Sequence, residues 1–205
     1  MFIMMKMIYI ISGIIIAGGL VFYLASCGNK SFAKDNRINT TQDTIKTKVH
    51  QTYENAFEGL RNMAFSTTPE QLGLSLQTGR IIVYGVIMDW EIGGAIATTV
   101  SYQTGDASLY LSSGGGVIGG GEHQNVNRAA KQFVSLAQTF LNKTTETEKT
   151  SFPGTGEVNF YLLTNKGFYI GKEQMKNFES NSSPWLKLFE AGNNVLTEIR
   201  MISEQ

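Results

Sequence analysis

The chain has one cysteine, two histidines and three prolines in 205 residues. A single thiol cannot close a disulfide within the chain, and so few imidazole and thiol groups fall short of the usual four-ligand zinc set. No G-x-S-x-G elbow is present, and neither His50 nor His123 stands in a hydrolase context. An excess of one charge sign is also lacking: 17 basic and 17 acidic side chains cancel, so no net field draws the protein to DNA, RNA or a polyacidic partner. Nucleic acid is therefore not expected among its partners, and no cofactor is expected. What is present, 42% apolar and 17% charged residues, is the composition of a folded protein. The length suffices for one domain with a true core and a short appendage.

The one long apolar run is at the N-terminus, "MIYIISGIIIAGGLVFYLASC", preceded by Lys6 and closed by the single thiol, Cys27. A basic residue, an apolar stretch and small residues at a cleavage point have the form of a secretory signal. Leu24-Ala25-Ser26-Cys27 resembles a bacterial lipobox, and "CGNKSFAKDN" is similar to the polar tether of Gram-negative lipoproteins. The resemblance implies that Cys27 is lipidated and begins the mature chain. The competing reading is an uncleaved transmembrane anchor, because Met7 to Leu24 is just long enough to cross a bilayer; the lipoprotein is favoured. Positive charge stays inside, so the residues after Cys27 are expected to face the periplasm or exterior. The resulting division is 1–26 signal peptide or anchor, 27–44 polar tether and 45–205 a single domain.

Within that domain Ile45, Val49, Tyr53, Phe57, Leu60 and Met63 recur at helical spacing, predicting a helix from about Asp43 to Ala64. Thr68 and Pro69 open a short element that Gly73 stops. The stretch from Arg80 to Ser113 reads as a three-stranded meander turned at Gly93-Gly94 and at Thr104-Gly105-Asp106. A second helix follows on Val126, Ala130, Phe133, Val134, Ala137, Phe140 and Leu141. A hairpin turns at Asn165-Lys166-Gly167, and a last helix is capped by Ser183 ahead of Pro184. Gly192-Asn193-Asn194 could end that helix, but a continued or restarted helix is the reading kept. The prediction is an α+β fold: a five-stranded antiparallel sheet in α-β-β-β-α-β-β-α order with helices packed on it, behind an N-terminal membrane-targeting helix. That order resembles the fold shared by type III secretion chaperones and the YbjN group of small bacterial proteins, a likeness of topology over about Ile45 to Ile202 that does not fix a function.

Six of the eight residues from 114 to 121 are glycine, in "SSGGGVIGGGEH". Gly114, Gly116 and Gly119 satisfy G-x-G-x-x-G before a helix, whose unpaired amides could receive an anion. A dinucleotide site also needs a parallel βαβ unit and a distal acid, and a P-loop needs Lys with Ser or Thr after the glycines; the sequence has neither. The expectation is a tight strand-to-helix crossover. Its amides (Gly114, Gly115, Gly116, Gly119, Gly120, Gly121), with His123, form a candidate ligand site. Glu122 would compete with a bound phosphate there. Asp89 and Glu91 share one face of a strand, a spacing that could divide acid and base roles or hold calcium, but that reads foremost as a solvated strand tip. Tyr84, Trp90, Tyr102, Tyr110, Phe160, Tyr161, Phe168 and Tyr169 are expected in the core, or as a binding platform if one sheet face is bare.

The function expected from these residues is a noncatalytic, membrane-anchored interaction domain of the cell envelope with a protein partner. The alternatives are a small-ligand or anion-sensing domain that uses the glycine loop, and an envelope hydrolase that uses Asp89, Glu91 or Glu122. No catalytic and no metal residue is assigned.

Overall fold

The computed structural model describes residues 56–203. The N-terminal apolar run, Cys27 with its lipobox, the 27–44 stretch, His50, and the helix positions Ile45, Val49 and Tyr53 lie outside the described residues. Helix α1 (56–66) buries Phe57, Arg61, Ala64 and Phe65. Met63, expected on that stripe, is 68% exposed instead. At about 100° per residue it lies about 160° from Arg61 and from Phe65, nearly half a turn away from the buried row, which runs Phe57–Arg61–Phe65 rather than Phe57–Leu60–Met63. After α1, Thr68 and Gln71 bond reciprocally (Thr68 N–H to Gln71 Oε1 at 2.8 Å, Gln71 N–H to Thr68 Oγ1 at 3.3 Å). This is a capping-box pattern, but it closes only a turn, which Gly73 ends at φ 69°.

The expected meander is formed by β1 (Val83–Ile92), β2 (Ala95–Tyr102) and β3 (Ala107–Leu111). Two strands that the sequence reading did not foresee, β4 (Gly116–Val117) and β5 (Thr145–Thr147), join the expected hairpin of β6 (Glu157–Thr164) and β7 (Gly167–Gln174). The sheet therefore has seven strands rather than five, all pairs antiparallel, in the order β4-β3-β2-β1-β6-β7-β5. Both additions are edge strands too short for side-chain alternation to reveal; they form where passing chain covers the backbone groups of β3 and β7. Helix α2 (Gln124–Ala137) ends in a 3₁₀ turn (Gln138–Lys143), a short α3 (Met175–Glu179) follows β7, and α4 (Leu186–Ser203) closes the described chain.

Helix α4 runs unbroken through Gly192-Asn193-Asn194. Gly192 is there for close approach: a Cβ would stand 2.6 Å from Met88 Sδ and 3.1 Å from the Phe133 ring. Ser183 Oγ accepts the Trp185 amide at 3.0 Å, so the expected cap is made just ahead of the helix.

Strand register divides the side chains between two covered faces. Ile87, Val100, Tyr102, Tyr110, Tyr161 and Leu163 pack with Phe57, Ala64 and Phe65 of α1. Met88, Trp90 and Phe160 point the other way, toward α2 and α4, where Trp90 meets Phe189 edge-on at 5.2 Å. A sheet covered on both sides leaves its rings no platform to form, and Tyr84, Trp90, Tyr102, Tyr110, Phe160 and Tyr161 are all buried. On the second face Trp185 stacks between Phe160 and Phe140, at 5.4 Å from each, directly over Gly171.

Any Cβ at position 171 would collide with the Trp185 ring, and a ring held between two others has nowhere to go. Gly171→Ala is expected to lower the unfolding free energy by about 1–3 kcal/mol, whereas Gly79→Ala, with open space around it, should fall within about 0.5 kcal/mol of wild type. Urea denaturation followed by tryptophan fluorescence measures both, and equal effects would refute the close packing.

Candidate functional site

Asp89, the first of the two strand carboxylates that the sequence offered for chemistry, is not at a solvated tip. Asp89 is wholly buried on the α1 face of β1. Its Oδ2 accepts from Arg61 Nη2 at 2.6 Å and from Arg61 Nε at 3.1 Å, and its Oδ1 accepts from Thr98 Oγ1 at 2.6 Å. Arg61 spends a further donor, Nη1, on the carbonyl of Thr150 at 2.8 Å. Its guanidinium lies 4.5 Å from the centre of the Phe152 ring and 4.8 Å from that of Phe65. Tyr161, on the neighbouring strand, donates its hydroxyl to Ser151 O at 2.5 Å. The polar connection after α2 is thus folded over the ion pair, and this excludes water from it.

Glu91, two residues on, is half-buried and accepts from the backbone amides of Gly94, at 2.6 Å, and of Gly156. It ties the β1–β2 turn to the loop before β6. Both carboxylates are therefore spent as acceptors that fix chain segments: Asp89 holds α1 to β1 and β2, and Glu91 holds two backbone amides.

The same face secures the C-terminal end of α1. Helix carbonyls in the last turn have no partner within the helix. Here Tyr102 donates its hydroxyl to Ala64 O at 2.8 Å and Tyr84 to Thr67 O at 2.9 Å, while Ser66 Oγ and Thr67 Oγ1 bond back to Asn62 O and Met63 O. An irregularity in the β1–β6 register between Val83 and Gly85 accompanies the turn of Tyr84 toward α1. Burial pushes the Tyr102 hydroxyl up to about 12 from 10.0, with Tyr110, Tyr84 and Asp106 adding to the effect and Thr67 opposing it. Tyr84, Tyr110 and Tyr161 are raised too, chiefly by burial.

The glycine loop is a hairpin edge rather than a direct crossover. Gly116 and Val117 fold back on Tyr110 and Leu109 as β4. Gly114, Gly115 and Gly119 have φ of 104°, 86° and 74°, where side-chained residues are strained. The Gly114 amide donates to Leu111 O at 3.0 Å and the Gly119 amide to Ser108 Oγ at 3.3 Å, so these two point inward. Gly120 is buried, and Gly121 lies against Asp106. His123 and Glu122 are exposed at the start of α2, with the His123 carbonyl accepting from Asn127 N–H at 2.9 Å. Among the described residues no group of three His, Cys, Asp or Glu side chains is placed to hold a metal ion. No described helix is long and apolar enough to cross a membrane.

Arg61 and Thr98 are the residues that sequence reading missed. The available signal was the row Phe57-x₃-Arg61-x₃-Phe65, in which a cation sits on an apolar helical stripe, a position that demands a buried counter-charge. Comparison with protein-family models, with curated proteins and with solved structures finds no match.

Removing one partner of a buried pair strands the other. Arg61→Met is expected to cost about 3–5 kcal/mol, and adding Asp89→Leu should restore a large part of that loss, because an apolar pair carries no desolvation penalty. Urea midpoints at constant slope test this, and a double variant as unstable as the sum of the singles would refute coupling. The tyrosines give a second expectation. Above pH 10 the unfolded chain loses phenolic protons that the folded chain keeps, so stability fully present below pH 10 is lost as pH rises through about 12. Tyr102 alone contributes a loss on the order of 2–3 kcal/mol. Denaturation midpoints between pH 9 and pH 12 should fall less steeply in Tyr102→Phe than in wild type; parallel curves would contradict the assignment.

Proposed function

We propose that the protein is a noncatalytic interaction domain held at a membrane of the cell envelope by its N-terminal segment, lipidated at Cys27, and that its partner is another envelope protein. The observation that carries this reading is the commitment of Asp89 to Arg61 and Thr98. The carboxylate best placed on the strand for chemistry is spent on fastening α1. That helix follows the N-terminal segment in the chain, so it is the element through which a tether would transmit force. Glu91 is likewise spent on two backbone amides, which leaves the hydrolase reading with Glu122, an exposed carboxylate at the start of α2. The glycine-loop reading loses the Gly114 and Gly119 amides to internal acceptors.

Complementation of a strain lacking the protein tests the proposal. Wild type and Glu122→Gln are expected to restore its phenotype equally, Cys27→Ser and a version without residues 1–44 are expected to fail, and the membrane-extracted wild type should have a mass that begins at acylated Cys27. Failure of Glu122→Gln while folded would overturn the noncatalytic reading. Full rescue by the version without residues 1–44 would overturn the tether.

A further inference from the structure

We infer that the cleft between the start of β1 and helix α2 is a binding site for a small organic anion, a phosphate or carboxylate carried on a short apolar body. The cleft has a volume of about 330 Å³ and is lined by the 80–83 segment, by Gln103 and by Lys131, Val134, Ser135 and Gln138 of the α2 side. That volume lies at the small end of the range for ligand pockets, about 300–1,000 Å³.

Its charge has one sign. Arg80 and Lys131 both stand on the lining and no Asp or Glu does. Among the described residues the ion pairs are Arg61 with Asp89 and Lys172 with Glu157, so neither of these two cations is neutralised by a described carboxylate. Both side chains are exposed at the cleft, and like charge without a facing carboxylate gives it a positive potential that favours an oxyanion. Arg80 brings the planar fork that matches phosphate and carboxylate oxygens, and Lys131 brings a point charge. Val83 and Val134 are buried at the floor, Ile81 and Ile82 are half-buried, and Ser135 and Gln103 supply polar groups at the rim. A charged head over an apolar floor selects an amphiphilic anion over a bare one.

The walls are already set. Gln138 acts as a strand mimic: its Nε2 donates to Ile81 O at 3.2 Å while its Oε1 accepts from Val83 N–H at 2.8 Å. From the other side Asn165 accepts from Ile82 N–H at 2.9 Å and donates to Arg80 O at 3.0 Å and to Gln77 O at 2.8 Å. Two side-chain amides thereby satisfy the backbone of the 80–83 segment, and the Arg80 backbone is held without its guanidinium being used. Binding would then require little reordering of the main chain.

The test is calorimetric titration of the full-length protein in uncharged detergent with n-butyl phosphate and with inorganic phosphate, paired with amide NMR. Saturable binding of butyl phosphate is expected, tighter than that of inorganic phosphate, with shifts at Ile82, Val83, Ser135 and Gln138. Arg80→Gln and Lys131→Gln should each weaken it at least tenfold, and Lys176→Gln, an exposed lysine on α3, less than twofold. Phosphatidylglycerol bicelles form a second arm: shifts of the same amides there assign the site to a lipid headgroup, and their absence beside butyl phosphate binding assigns it to a free solute. No saturable binding in either arm, equal weakening by Lys176→Gln, or shifts confined to Gly114–Gly121 would overturn the inference.

Discussion

Four separate stretches of chain converge on the guanidinium of Arg61: α1 carries it, β1 supplies Asp89, the 150–152 loop supplies a carbonyl and a ring, and β6 supplies Tyr161. A cation in such a place must have nearly every donor matched, since an unpaired charge in low dielectric costs several kcal/mol even after the protein relaxes. The matching restricts the fold. Shifting β1 by one in its register would carry Asp89 to the opposite face of the sheet, and turning α1 by one residue would swing Arg61 about 100° away from it, leaving the other partner buried alone. An apolar pair of similar size would fill the same volume but would accept many more arrangements of helix on sheet. The ion pair therefore restricts how α1 can sit on the sheet.

Much of the architecture was legible from periodicity. Helix α2 and the 3₁₀ turn after it followed the apolar row from Val126 to Phe140, and the meander and hairpin followed their turn residues, because these elements are long enough for side-chain spacing to declare itself. What escaped was set by tertiary demand. Strands of two and three residues have no period, and β4 and β5 exist because β3 and β7 had edges to cover. Asp89 and Glu91 were read as a tip because carboxylates before Gly93-Gly94 usually face water. Their burial depends on a cation 28 residues upstream and a loop 61 or more residues downstream, which no local pattern reports. The same holds for the cleft, where Arg80, Gln103 and Lys131 meet only once the sheet is folded.

The glycine loop shows how a motif can be met literally by chain in a different setting. Its spacing fits a phosphate cradle, but that chemistry requires amides aimed outward at a ligand from a parallel strand–helix junction. Here the strand ahead of the loop belongs to an antiparallel meander, and the glycines bring the chain back along it. Gly116 lies so close to Leu109 O that no side chain fits, and Gly121 lies against the backbone of Asp106. Glycine was selected at these positions for backbone-to-backbone proximity at a sheet edge.

The two faces of the sheet are held by different physics. Toward α2 and α4 the contacts are rings and aliphatic chains: Trp90, Phe160, Phe178, Trp185 and Phe189 in mutual contact, with Gly171 and Gly192 admitting a ring and a helix at short range. Such packing is non-directional and scales with buried area. Toward α1 the apolar cluster is pinned by directional bonds: the guanidinium to Asp89, and two tyrosine hydroxyls to the carbonyls of Ala64 in the helix and of Thr67 just past its end. The C-terminal end of a helix carries carbonyls with no partner inside it. Bonds aimed at Arg61 and at the C-terminal end of the helix fix its position on the sheet, and the one fully buried ion pair among the described residues, Arg61 with Asp89, lies on that face.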